Sequence, residues 1–127
     1  MNRGILYFVV LIDEVKFVYE HKKERVKGKY LKILNKTCLE YMTTVEGRIK
    51  AMSTFWGSRY NVPIYINEDI CFLKVDQNVW INVNNVEKIV EKCIVFTCGM
   101  SLYFEASKRN LEEKIKRLKS IIKNVKK

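Results

Sequence analysis

Apolar residues follow two different rhythms along this chain. Ile5 to Ile12 and Val15 to Tyr19 are extended apolar runs meeting at Asp13-Glu14. They predict two strands, the first of them buried. Lys22 to Lys29 is charged and ends near Gly28, which predicts a turn or loop. From Tyr30 onward the period changes. Ile33 or Leu34, Cys38, Tyr41 or Met42, and Val45 recur at three and four, the spacing of an amphipathic helix. Ile49, Met52 and Phe55 or Trp56 continue it beyond Gly47. Glycine inside a helix costs about 1 kcal/mol relative to alanine. Gly47 is therefore expected at a joint between two helices, with one kinked helix as the alternative. Gly57 is a candidate C-terminal cap.

Beyond Gly57 the period returns to short β-branched and aromatic runs: Val62 to Ile66, Ile70 to Val75, Val79 to Val83, Ile94 to Thr97 and Leu102 to Glu105. Asn-Glu-Asp, Asp-Gln-Asn, Asn-Asn and Cys-Gly-Met-Ser separate them, which suggests antiparallel pairing. Val86 to Val90 fits a strand or a short helix. Ser107 or Asn110 opens a final helix, with Glu113 three beyond Asn110 in a capping-box arrangement. Leu111, Ile115, Leu118, Ile122 and Val125 then form one stripe, and Lys114, Lys116, Arg117, Lys119 and Lys123 take the other faces. The expected architecture is α+β, an antiparallel sheet with a central helical pair and a C-terminal basic amphipathic helix. No linker or repeat divides residues 1–127, so one domain is expected.

Charge changes this picture from a fold to a function class. The 127 residues carry a net charge of +10, unevenly spread. Residues 108–127 hold seven Lys, two Arg and two Glu, a net +7. Residues 16–36 hold seven Lys, one Arg and two Glu, a net +6, and the remainder sums to −3. Two basic segments flanking a nearly balanced body are the footprint of a polyanion binder. No apolar run reaches the roughly 18 residues of a membrane span, and no cleavage pattern marks a signal peptide. Reduced cytoplasmic thiols are therefore expected for Cys38, Cys71, Cys93 and Cys98. No two of them have metal-ligand spacing, and His21 stands apart, so neither metal nor cofactor is expected. His21 also lacks a catalytic partner, and no glycine-rich phosphate loop occurs, which points away from an enzyme.

Residues 37 to 66 carry the most specific pattern. A cysteine at Cys38 precedes Tyr41-x-x-x-x-Glu46-Gly47-Arg48, then Lys50, then Pro63-Ile64. This resembles the signature of the competence transcription factor (ComK) family, with weaker agreement from about Ile5 to Phe104. The resemblance implies a regulator that binds A/T-rich double-stranded DNA largely through the minor groove. It further implies a homo-oligomer on repeated sites, and an adaptor or protease partner. A narrow A-tract groove concentrates negative potential and attracts inserted Arg or Lys. The other class in view is a small basic interaction module for RNA or an acidic protein.

Six cations are the candidate nucleic-acid contacts. Arg48 and Lys50 follow Gly47 as a cationic edge, Arg48 being suited to bidentate bonding; alternatively Arg48 pairs with Glu46 or Glu40 and only steadies the helix joint. Arg59, beside Tyr60 and after Trp56, fits an aromatic-basic contact loop, or else an arginine capping a core tryptophan. Lys116, Lys119 and Lys123 lie on the terminal helix. Its apolar stripe can pack on the sheet, form an oligomer contact or meet a membrane surface, and Trp80 is expected in the core or an interface.

Overall fold

A computed structural model describes residues 1–125. Strands β1 (Tyr7–Val10), β2 (Glu14–Val18) and β3 (Lys23–Lys27) form a meander and lead into helices α1 (Tyr30–Leu39) and α2 (Val45–Trp56). Strands β4 (Ile64–Asn67), β5 (Ile70–Asp76) and β6 (Val79–Asn82) follow, then β7 (Val86–Val90), β8 (Cys93–Phe96) and β9 (Ser101–Tyr103), and finally helix α3 (Lys108–Val125). A six-stranded antiparallel sheet has the order β3-β2-β1-β6-β5-β4, and β7-β8-β9 make a second, three-stranded sheet. The α+β architecture with a helical pair and a terminal helix is as the periodicity predicts.

Alternation along the strands gives the large sheet two buried faces. On one, Phe8, Phe17, Ile64, Ile66, Phe72 and Trp80 pack under Leu34 and Cys38 of α1. Phe8 meets Phe72 edge-on at 4.8 Å and stacks on Trp80 at 6.0 Å, so Trp80 is core. On the other face Cys71, Leu73, Val75 and Ile81 pack against Ile94 and Phe96 of the small sheet and Leu111, Ile115, Leu118 and Ile122 of α3. Tyr7 stacked on Phe96 at 5.9 Å ties the two sheets together. Asn82, fully buried, donates to the carbonyls of Ile5 and Asp69 and accepts from the Cys71 N–H, each at 3.1 Å. A buried amide needs such partners, and here they join three segments of chain.

Helix α2 runs beside edge strand β4 and belongs to both cores. Val45 enters the α1 side, Met52 and Trp56 enter the α3 side, and Ile49 packs against both. Covering β4 in this way removes one exposed sheet edge.

Four local expectations are corrected. Lys22 to Lys29 is not a loop, because β3 pairs with β2 over five positions. Its charges hide the strand, and only Val26 reaches the core. Gly47 is not a joint. The helices part between Glu40 and Thr44, where Met42 takes φ 59°, and Gly47 is the third residue of α2. A Cβ there would stand 3.1 Å from the Thr44 Oγ that caps the helix, so glycine keeps the cap open. Leu11 and Ile12 are not buried. They sit in the β1–β2 turn, where the Leu11 N–H bonds to the Glu14 carbonyl and Ile12 is 94% exposed. The terminal helix is opened by Ser107 and not Asn110. Its hydroxyl accepts from the Asn110 N–H and its carbonyl from the Leu111 N–H, while Glu113 pairs with Arg109. Gly57, at φ 78° with its N–H on the Ser53 carbonyl, is the C-terminal cap of α2, and Val86–Val90 is a strand.

Candidate nucleic-acid interface

Helix α2 begins at a well-made cap. Thr44 Oγ accepts from the Gly47 N–H at 2.9 Å, and Asn35 of α1 accepts from the Val45 N–H at 2.9 Å. These bonds satisfy donors that a helix start leaves free and lock α2 to α1. They also fix which way the signature cations point. Residues 48 and 50 stand about 200° apart around a helix of 3.6 residues per turn. Arg48 turns toward a pocket formed with Ala51, Met52, Phe55, Tyr65 and Ile122. Lys50 turns the other way, into a groove against Leu31, Lys32 and Asn35 of α1.

Arg48 is half-buried, with its guanidinium 5.3 Å from the Tyr65 ring. Its Nε is buried without a hydrogen-bond acceptor. Among the described residues the ion pairs that hold arginine are Arg25–Glu14 and Arg109–Glu113. Arg48 therefore rests on an aromatic face, not on Glu46 or Glu40. Its charge is felt one helix away: burial pushes the Cys38 thiol up, and Arg48 pulls it partly back.

Trp56 is core, 6% exposed, and an arginine does cap it. That arginine is Arg117 of α3, whose guanidinium lies 4.7 Å from the indole and whose Nη2 donates to the Trp56 carbonyl. Arg59 stays exposed on the loop after Gly57, beside Tyr60, which is 82% exposed.

On α3 the apolar stripe is buried as expected at Leu111, Ile115, Leu118 and Ile122. The side chain of Val125 lies outside the described residues. Lys116, Lys119 and Lys123 step by three and four along one flank and are all exposed. This flank borders β7, with Lys116 and Lys119 beside Val86 and Ile89, and Lys119 and Lys123 near Asn84. Arg117 occupies the opposite flank, toward α2. The six candidate cations thus do not form one patch. Lys116, Lys119 and Lys123 come together, Arg48 and Lys50 diverge, and Arg59 stands on its own loop.

Strand β3 supplies a further basic surface. Lys23-Glu24-Arg25-Val26-Lys27 alternates cations at every second residue, which on a strand gathers Lys23, Arg25 and Lys27 on one face. That alternation is the signal in the sequence, and reading the segment as a loop conceals it.

The four cysteines are free, with Cys38 and Cys71 buried and Cys93 and Cys98 half-exposed. Burial pushes the Cys71 thiol up to about 12. Among the described residues no cluster of His, Cys, Asp and Glu is arranged for a metal ion, and no helix is long and apolar enough to cross a membrane.

The chain matches the ComK protein family over residues 13–127, nearly its whole length. It belongs to that family. The match reaches past Phe104 and includes α3, further than the signature and its flanks indicate. ComK proteins are transcription factors and not enzymes, so membership supports a transcription factor of the competence type. Neither the curated proteins nor the solved structures contain a match to the chain.

Proposed function

We propose that this protein is a cytoplasmic transcription regulator, one domain over residues 1–127, that binds A/T-rich double-stranded DNA as a homo-oligomer. Membership of the ComK family over residues 13–127 carries the reading. The charge pattern supports it: Lys116, Lys119 and Lys123 are exposed on one flank of α3 and engaged in no ion pair among the described residues. Such a row suits phosphate contacts, which position a protein on a duplex without reading its sequence. Sequence preference then falls to arginines that enter a narrow A/T-rich minor groove. Arg48 and Arg59 are the arginines proposed for this, and Lys50, on the other side of α2, is proposed as a separate phosphate contact. An adaptor or protease partner controlling the protein's level belongs to the same reading.

The test is binding of the full chain to A/T-rich duplex, G/C-rich duplex and single-stranded RNA of equal length at two salt concentrations. Tighter binding to the A/T-rich duplex, weakened by salt through counterion release, is the expected result. Equal affinity for both duplexes removes the sequence-specific regulator and leaves a general polyanion binder. Preference for RNA, or binding only to acidic proteins, assigns the chain to the class of basic interaction modules.

A further inference from the structure

The outer end of the large sheet carries charges that folding alone does not require. Strand β3 is an edge strand, and lysines on an edge guard against pairing with another chain. That reason covers β3 and stops there. Lys16 lies one strand further in, on β2, with Val9 on one side and Arg25 on the other as its register partners. Like charges directly opposed across an antiparallel pair are destabilising, so the Lys16–Arg25 rung works against the fold.

Register places more cations on the same surface. Tyr7 pairs with both Val18 and Ile81, which defines the face opposite α1. Val18 pairs with Lys23, Lys16 with Arg25 and Glu14 with Lys27, so Lys16, Lys23, Arg25 and Lys27 all share that face. Lys23, Arg25 and Lys27 are exposed and Lys16 is half-buried. Glu24 alternates to the other side with Phe17. Among the described residues the ion pair that reaches these four cations is made by Glu14, whose Oε1 accepts from Arg25 Nη1 at 2.8 Å.

The spacing of this row identifies its complement. An antiparallel strand advances about 3.4 Å per residue, so alternate side chains stand about 6.8 Å apart. Successive phosphates of one strand of a B-form duplex rise about 3.4 Å along the axis while turning about 36° around it, which sets them about 7 Å apart along the backbone, so the row falls in step with successive phosphates. We infer that the Lys16, Lys23, Arg25 and Lys27 face of the β2–β3 hairpin lies along one phosphate backbone of duplex DNA. Glu14 serves there as an internal counter-ion that phosphate displaces from Arg25. The inference rests on the DNA-binding reading above and adds to it a backbone-tracking surface outside both the family signature and α3.

The experiment measures affinity of the full chain for A/T-rich and G/C-rich duplexes across a salt series, with thermal melting to confirm folding. The double variant Lys23→Gln/Lys27→Gln is expected to bind both duplexes more weakly, by the same factor, and to lower the slope of log affinity against log salt by about 2. Glu14→Gln, which releases Arg25, is expected to tighten binding and steepen the slope by up to about 1. A double variant with an unchanged slope, while the unmodified chain binds DNA, overturns the hairpin surface and leaves the DNA reading standing. If the double variant does not fold, Glu14→Gln decides, and binding no tighter than that of the unmodified chain overturns the inference. An unmodified chain that binds neither duplex in a salt-dependent way overturns the DNA reading itself, and this surface with it.

Discussion

Helices α2 and α3 both carry basic residues, yet they spend them differently. On α2 the chain packs Val45, Ile49, Met52 and Trp56 into two cores, and Arg48 lies half-buried against Tyr65. On α3 a single apolar stripe makes the core contact, and Lys116, Lys119 and Lys123 extend from an exposed flank. The Glu46-Gly47-Arg48 and Lys50 part of the signature lies on α2, whereas α3 carries far more of the charge. Position within a signature and availability to a partner are therefore separate properties. A helix that bridges two cores leaves a smaller share of its surface to solvent, whereas a helix with one narrow stripe leaves most of its circumference free.

The sharpest way to break this contrast is through Trp56. Replacing a buried tryptophan by alanine costs about 3–5 kcal/mol, and Trp56→Ala should also release Arg117 from its stacking partner. Chemical denaturation measures it, and a loss under about 1 kcal/mol would show that the end of α2 is not anchored as described.

The complementary change on α3 is the triple variant Lys116→Gln/Lys119→Gln/Lys123→Gln. These residues are exposed, so stability should move by no more than about 0.5 kcal/mol per site. DNA affinity should fall, with the salt slope reduced by about 3, near 0.9 for each phosphate left without its lysine. A large drop in melting temperature with an unchanged slope would reverse the roles assigned to the two helices.

Arg48→Ala is a smaller and more discriminating change. Loss of its stacking on Tyr65 should cost about 1 kcal/mol, while affinity for A/T-rich duplex falls more than affinity for G/C-rich duplex. If affinity per folded molecule is unchanged, Arg48 acts only in packing, and recognition shifts to Arg59 and α3. Gly47→Val should be milder than a broken helix joint would be. Its effect is crowding of the Thr44 cap, with a cost of about 1 kcal/mol, the usual worth of such a cap.

The smallest effect at neutral pH concerns the cores themselves. Cys71 has its thiol pushed up to about 12 from an ordinary 9.0 by burial in the core between the large sheet and α3. An acid with a raised folded-state pKa holds its proton more tightly when folded. Its contribution to stability is therefore complete below about pH 9 and is lost as pH rises toward 12. Denaturation midpoints should stay flat near neutrality and fall over that alkaline window, with a shallower fall in Cys71→Ala. An identical alkaline fall in both would assign it to other groups, such as Tyr7 and Tyr30, which burial also pushes up.

Much of this molecule is legible in its residues because local periodicity reports burial. Leu111, Ile115, Leu118 and Ile122 announce α3 and its buried stripe, and the runs from Val62 to Val83 announce β4, β5 and β6. Gly57 marks the end of α2 because only a residue without a Cβ takes φ 78° without strain. Cys38, Glu46-Gly47-Arg48 and Pro63-Ile64 point to the family by their spacing alone. Tertiary structure decided what periodicity cannot carry. Strand β3 exists because β2 offers it unpaired backbone donors and acceptors, a requirement invisible in a run of five residues with one apolar member. The helix joint formed at Met42, which nothing in its side chain foretells. The partners of Arg48 and Trp56 came from Tyr65 and Arg117, 17 and 61 positions away. A one-dimensional pattern reports which side of an element faces inward; which distant element it meets there is set only when the cores close.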